Sequence, residues 1–370
     1  MRLLALAGDI HALIAQIRLV VPLTALCGQN GWSLALKSFH ECARADLAAA
    51  DVLVVQRAAT ARVLRLQQHQ RRRGGAVVYE IDDLLTEVAP HISGQAASQA
   101  RVALLRRCLA EADAVCVSTA RLAHELGLSD AVVVPNYALQ LSDRQLPVPD
   151  PAQPVHLLFA SSERLDTGFI YPALRDLPGV RIVVVGPPAA DFANAKLAVQ
   201  AVPLMPREQF VTFARRLPNV LAVIPLEDSR FAACKSAVKW FDYAAAGVPS
   251  LCSAVSPYID VIEQDVTGGL VDNNSQAWRQ ALCAAVSTPL WRQRVAAAAL
   301  LRVEKQHSLQ HSIDAWQSVI AAAVHSRNAT RPAPLGLHWR LREATTAALE
   351  GAVLRLRILN RRRLARRSAR

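Results

Sequence analysis

The chain has 370 residues, 52% of them hydrophobic, with strand-like apolar runs alternating with Ala- and Leu-rich stretches; this is too long for one ordinary core and too apolar for a disordered or fibrous protein. A formal charge of +12 suggests a polyanionic partner, but residues 331–370 hold eleven arginines and two glutamates, so residues 1–330, with 31 basic and 28 acidic side chains, have a net of only +3. Composition also argues against a disulfide frame, a zinc site, a secretion signal or a membrane span. The seven cysteines include no C-x-x-C pair, Gly8, Asp9 and His11 interrupt the first apolar run, and no uncharged apolar window of about 18 residues occurs.

Taken in order, residues 3–7 predict a first strand closed by Gly8. A helix over 10–28 follows, carrying Gln16, Arg18 and Pro22, and then a strand at 33–36. DVLVVQ at 51–56 reads as a buried strand with Arg57 just beyond its end, and a basic helix then stops at Gly74-Gly75. AVVYEIDDLL at 76–85 is another buried strand, with Glu80, Asp82 and Asp83 at its end. The carboxyl ends of strands in an open α/β sheet face the ligand crevice. Asp82 and Asp83 are therefore placed to orient a hydroxyl or take a proton, or else simply to cap the next segment and meet solvent. His91 falls in the following loop. A helix at 97–112, a strand at 114–117 with Ser118 as the expected cap of the next helix, and the strand AVVVPN at 131–136 complete the first half. Residues 141–154, rich in proline, read as a linker.

The second half repeats this logic, which favours two facing Rossmann-like domains with a cleft between them. A strand at 155–160 opens into a turn with Ser161, Ser162 and Arg164; Arg164 is the nearest cation for a phosphate, and equally an ordinary surface arginine. The strand at 181–186 ends in the turn Gly186-Pro187-Pro188, and a helix reaches 217. The strand at 220–226 then leads through a polar turn to Lys235 and Ser236, where a helix is expected to start. Helix amino termini carry free N–H groups and positive dipole ends, so a lysine and a serine there suit a phosphate or diphosphate, although a capped surface helix has the same pattern. Gly247 and Pro249 end that helix. A strand at 249–253, a helix at 256–264, a turn and strand at 268–271 and helices at 275–286, 290–306 and 309–326 follow.

Several of these segments together resemble the GT-B glycosyltransferases, in the bacterial branch similar to glycosyltransferase family 4 and the "group 1" enzymes. KSAVKWFDYAAAGVPSLCS is similar to the branch's KS-x-x-K-x-x-E-Y-x-x-x-G-x-P pattern, and Pro257-Tyr258, Ile262, Gly268-Gly269-Leu270-Val271 and Trp278 continue it in order. VVYEIDDLL, ADAVCVST, VVVPN and Gln16-Ile17-Arg18 with Pro22 resemble its amino-terminal signatures. The resemblance implies an acceptor-binding domain over 1–142, a linker at 143–154 and a nucleotide-sugar domain at 155–330, with the tail 331–370 unexplained. It further implies a glycosyltransferase that takes a nucleotide-diphosphate sugar as co-substrate, without metal or other cofactor and with retention, and passes the sugar to a glycan or lipid-linked acceptor. Donor contacts carried over are Lys235, Ser236, Lys239, Asp242, Arg164 and Gly186, with Asp82 or Asp83 on the acceptor. The pattern's first glutamate falls on Cys234 and its second on Asp242, one methylene shorter. Cys234 and the short loop at 161–166 leave a second reading, a degenerate module that binds a glycan or partner without catalysis.

The tail interleaves leucines, Val353 and Ile358 with arginines. Such a segment can lie on an anionic membrane surface, which fits a cytoplasmic protein peripheral to the membrane and engaged in polysaccharide or lipopolysaccharide assembly. With Trp339 as its one aromatic residue it suits nucleic acid less well, and a plainly solvated terminus is the remaining reading.

Overall fold

A computed structural model describes residues 1–87, 98–141, 146, 150, 152–163 and 167–329. Two parallel six-stranded sheets organise it. The first contains β1 (Arg2–Ala7), β2 (Ser33–Ser38), β3 (Val52–Gln56), β4 (Ala76–Ile81), β5 (Ala114–Val117) and β6 (Val132–Val133), in the order β2-β1-β3-β4-β5-β6. The second contains β7 (Val155–Ala160), β8 (Val180–Val185), β9 (Gln200–Val202), β10 (Val220–Ile224), β11 (Ser250–Ser253) and β12 (Gly269–Val271), in the order β12-β11-β10-β7-β8-β9. β3, β4 and β10 are buried at every position, as parallel strands covered by helices on both faces must be. The strand order reverses at β1 in one sheet and at β7 in the other, and ligands of such sheets bind beyond the strand ends at that reversal.

The helices Ala61–Arg72 and Gln99–Ala110 cover one face of the first sheet, packing Val63, Leu66, Leu105 and Cys108 on Leu53, Val55 and Tyr79. Its other face takes the helix Val21–Asn30 and the last helix, Leu309–Ala329, whose Ile313, Trp316, Val319 and Ile320 pack on Leu3, Ala5, Val52 and Val54. The carboxyl end of residues 155–330 therefore belongs, by packing, to the first sheet and not to the second. On the second sheet the helix Val238–Ala245 buries Trp240 and Tyr243, while Ser275–Ser287 buries Trp278 on the opposite face.

Several local expectations change. The helix expected over 10–28 forms in three pieces, Leu13–Ala15, a π-helical turn Gln16–Val20 and Val21–Asn30, and the π turn carries Arg18, which is wholly buried. Thr119, not Ser118, caps the helix Ala120–Leu126; its Oγ1 accepts from Leu122 N, while the Ser118 hydroxyl donates to the Asp82 carbonyl. Residues 256–264 form turns instead of a helix, with Ile259 exposed where a helical core face would have buried it. β9 was not expected from the sequence, because two of its three residues are exposed and no apolar run marks it. Of the seven cysteines, six are buried and Cys283 is exposed, all as free thiols.

Candidate active site

Residues beyond the carboxyl ends of the two sheets come together: Asn136 meets Ser236, Thr119 meets Cys234, and Arg57 lies within electrostatic reach of Glu163. Arg57, directly after β3, is held at φ 53°, a conformation costly for a side chain of its size and common where function fixes the backbone. Its guanidinium reaches β4's end: Nε lies 3.1 Å from Asp82 Oδ1 and Nη2 3.0 Å from Asp83 Oδ2. Burial, then repulsion from Asp83, pushes the Asp82 carboxyl up to about 8 despite Arg57. Asp82 is thus a buried carboxyl shifted towards neutral pH, the kind of group that can take up or release a proton there. Arg57 is also within electrostatic reach of Glu163, in the loop after β7.

Glu163 belongs to the second wall. Its Oε2 is 3.6 Å from Lys235 Nζ, which also lies 4.8 Å from the centre of the Phe231 ring. Lys239, one turn further, donates to Ser161 Oγ at 3.2 Å. Burial first, and the neighbouring Lys235 second, lower the Lys239 ammonium to about 8. Two lysines thus share one region in which, among the described residues, Glu163 is the carboxylate paired with Lys235, so an anion bound there would relieve their repulsion. Gly186, after β8, has φ 92°, and a Cβ on it would come within 2.3 Å of the Ser161 carbonyl. The absent side chain lets the β8 turn close on the Ser161 loop and so fixes where Lys239 points.

Lys235 and Ser236 do not occupy the first turn of one continuous helix. They lie in a break between a short helix, Arg230–Ala233, and Val238–Ala245, with Ala237 at the second helix's cap position. The break is fastened to the first domain. Ser236 Oγ accepts from Asn136 Nδ2 at 2.6 Å, Asn136 Oδ1 accepts from Arg18 Nη1 at 2.8 Å, and Arg18 Nε donates to Glu80 Oε1 at 2.7 Å. All but Ser236 are buried, so a polar chain runs from the first domain's core to the cleft. Thr119 Oγ1 donates to the Cys234 carbonyl at 2.9 Å, and the Cys234 and Phe231 side chains pack into the first domain's core cluster.

Two carried-over positions thus depart from the pattern in different ways. The Cys234 side chain is buried in the first domain's core cluster. Asp242 pairs with buried Arg207, whose Nε and Nη2 lie 2.8 and 2.6 Å from its Oδ1; Arg207 also donates to the Tyr137 carbonyl and lies 5.0 Å from that ring's centre. Burial outweighs Arg207 and raises the Asp242 carboxyl. Arg164, His91 and the tail lie outside the described residues. The sequence reading left out Arg57, Glu163, Asn136 and Arg207 as site residues. Arg57, Asn136 and Glu163 carried a signal in their places at or just beyond strand ends; Arg207 carried none.

Residues 166–318 match the family described as Glycosyl transferase-like. Among solved structures, sucrose-phosphate synthase from Thermosynechococcus elongatus is similar with a TM-score of 0.66 at 15% identity, over 87% of this chain and 99% of that one. Anabaena HepE, solved in complex with UDP-glucose, is similar with a TM-score of 0.61 at 13% identity, over 87% of this chain and 100% of its own. A glycosyltransferase from Rickettsia africae gives 0.58 at 11% identity, over 87% and 98%. No curated protein matches by sequence. At these identities the likeness establishes a shared fold, the GT-B arrangement of two facing Rossmann-like domains.

Proposed function

We propose that the chain is a GT-B glycosyltransferase that moves a sugar from a UDP-sugar to a hydroxyl of a glycan or lipid-linked acceptor, in keeping with the match of residues 166–318 to the glycosyl transferase-like family. The lysine pair carries this reading. Lys235 and Lys239, with Glu163 beside Lys235, form a site that gains most from a ligand of concentrated negative charge such as a diphosphate. The UDP-glucose bound to HepE, which shares the fold, supports the choice of donor class.

In the proposed reaction the diphosphate leaves the anomeric carbon as Lys235, Lys239 and Ser236 stabilise the charge developing on it. That task needs no metal, and we assign none. Asp82, positioned by Arg57, orients the acceptor hydroxyl and takes its proton. Acceptor attack on the face the diphosphate leaves gives retention. The acceptor domain is the first one, and the tail serves a cytoplasmic enzyme working at a membrane surface.

A second reading, binding without catalysis, draws on Cys234 and on Asp242, whose carboxylate is engaged by Arg207. One experiment separates the two. UDP should raise the thermal midpoint of the wild-type protein by at least about 3 °C at saturation, and K239A should abolish the shift. UDP protection together with turnover of a UDP-sugar supports the enzyme, protection without turnover in a broad donor and acceptor screen supports the binding module, and no protection sinks the donor site itself.

A further inference from the structure

The loop after β7 places a carboxylate inside the lysine site, and the donor reading gives that carboxylate no task. Ser161, Ser162 and Glu163 form a polar bend whose backbone is fixed twice over. Ser161 Oγ accepts from the Glu163 N–H at 3.2 Å and from Lys239 Nζ at 3.2 Å, and the Ser161 carbonyl is held against Gly186, where a Cβ would come within 2.3 Å of it. One hydroxyl thus sets the Glu163 backbone and the Lys239 ammonium in a common frame. The bend makes these contacts without the Glu163 side chain, so it does not need that side chain's ion pair to hold its shape.

Glu163 Oε2 lies 3.6 Å from Lys235 Nζ, within ion-pair range but beyond a hydrogen bond, and the Glu163 and Lys235 side chains are 41% and 27% exposed. Such a pair is loosely held and contributes little to stability. The same carboxylate also acts on Lys239, where it opposes the lowering caused by burial and by Lys235, and on Arg57 of the first domain. A bystander ion pair would serve one cation at the surface. Glu163 instead stands among three cations drawn from both domains, where the two lysines repel each other.

We propose that Glu163 is a tethered competitor for the anion site: its carboxylate holds Lys235 in the free protein, is displaced by the diphosphate of a bound nucleotide, and reclaims the lysine as that nucleotide leaves. This rests on the reading of the lysine pair as a diphosphate site. While the site is empty, the carboxylate offsets the repulsion between Lys235 and Lys239. While the site is full, the fixed backbone keeps the displaced carboxylate within a side-chain rotation of Lys235, with Arg57 as its alternative partner, so it competes at high local concentration. A loose pair on a fixed tether suits this role. A short, fully buried pair would shut the site, and a free tether would dilute the competitor. In the proposed transfer the nucleoside diphosphate is the product that must leave, and Glu163 shortens its stay.

The test is UDP binding to the full-length protein at pH 7, with affinity read by calorimetry and dissociation by stopped flow. E163Q removes the competing charge and keeps the backbone contacts of the bend. It should bind UDP about two- to fivefold tighter than wild type and release it more slowly by a similar factor, with the thermal midpoint of the free protein nearly unchanged. Inorganic pyrophosphate, which brings the charge without the nucleoside, should gain by the same factor. A merely structural role for Glu163 predicts the reverse, looser binding. If E163Q folds poorly, E163D is read in its place; its carboxylate stops one methylene short of Lys235, and it should show part of the gain. Binding of UDP by wild type, with the variants equal or weaker, overturns the inference and leaves the donor site standing. Failure of wild type and variants alike to bind UDP or pyrophosphate overturns the donor site, and this inference with it.

Discussion

Lys239 is the residue on which the proposed donor site depends most. Its ammonium is lowered to about 8 by burial and by Lys235, so in the free protein it begins to lose its charge just above physiological pH. A bound diphosphate favours the charged form. Affinity for UDP should therefore be nearly constant below pH 7 and fall as pH rises through about 8, with proton uptake on binding near that pH; calorimetry in buffers of differing ionisation heat measures both. A pH-independent affinity from 6 to 9.5 would remove Lys239 from the site. Asp82 loses its proton over the same range, becoming a carboxylate as pH passes about 8. As a base it makes the transfer rate rise with pH up to that point, and D82N should cost roughly 10²- to 10⁴-fold in kcat with little change in UDP protection. For stability the raised carboxyl contributes in full below about pH 4 and loses that contribution as pH rises through about 8, so D82N should flatten this part of the stability profile. The position of Asp82 was legible from the sequence, because it directly follows a wholly buried, mostly apolar strand. Its partner Arg57 was visible in position but not in role, since no pattern announces that a backbone at φ 53° turns a guanidinium across to the next strand.

At the scale of elements, what matters is how strand-end loops close against one another. Gly186 permits the β8 turn to touch the Ser161 carbonyl, and both its φ of 92° and the 2.3 Å contact oppose any side chain. G186A should cost about 1–3 kcal/mol in denaturant unfolding and loosen UDP binding through the Ser161 to Lys239 contact. If binding were unchanged while stability fell, the loop would be structural only. The segment 230–245 shows where sequence reading stops. Its order of residues resembled a donor element, but the split into two helices could not be read, because the segment is held by contacts more than 90 positions away in sequence: Thr119 with Cys234 and Asn136 with Ser236. The same contacts decide what Cys234 does. Restoring the pattern's glutamate with C234E would place a carboxylate in the first domain's apolar core, which is expected to destabilise by several kcal/mol and not to raise turnover. A gain in turnover would mean that this core opens there and that the pattern's own geometry is recoverable.

Over the whole molecule, chain order and packing disagree at one helix, and the disagreement ties the domains together. Leu309–Ala329 follows the second domain in sequence yet completes the first, with Trp316 wholly buried and its Nε1 donating to the Arg18 carbonyl at 3.0 Å. The two sheets with their covering helices were legible, since alternating apolar runs and helical stretches leave few other solutions. The crossing was not, because an amphipathic helix does not say which sheet it will cover. Its consequence is that the Trp316 contact and the polar chain from Arg18 to Ser236 converge on a single residue of the π-helical turn. W316A should therefore destabilise the first domain by about 3–5 kcal/mol and also loosen the Ser236 anchor, 80 positions away in sequence. Hydrogen exchange should show lost protection in β1, β3 and the Arg18 turn with β7, β8 and β10 retained, and UDP protection should weaken although no donor-site residue has changed. Lost protection spread evenly over both sheets would show instead that the domains unfold as one unit, and that the last helix supports the molecule without acting on the site.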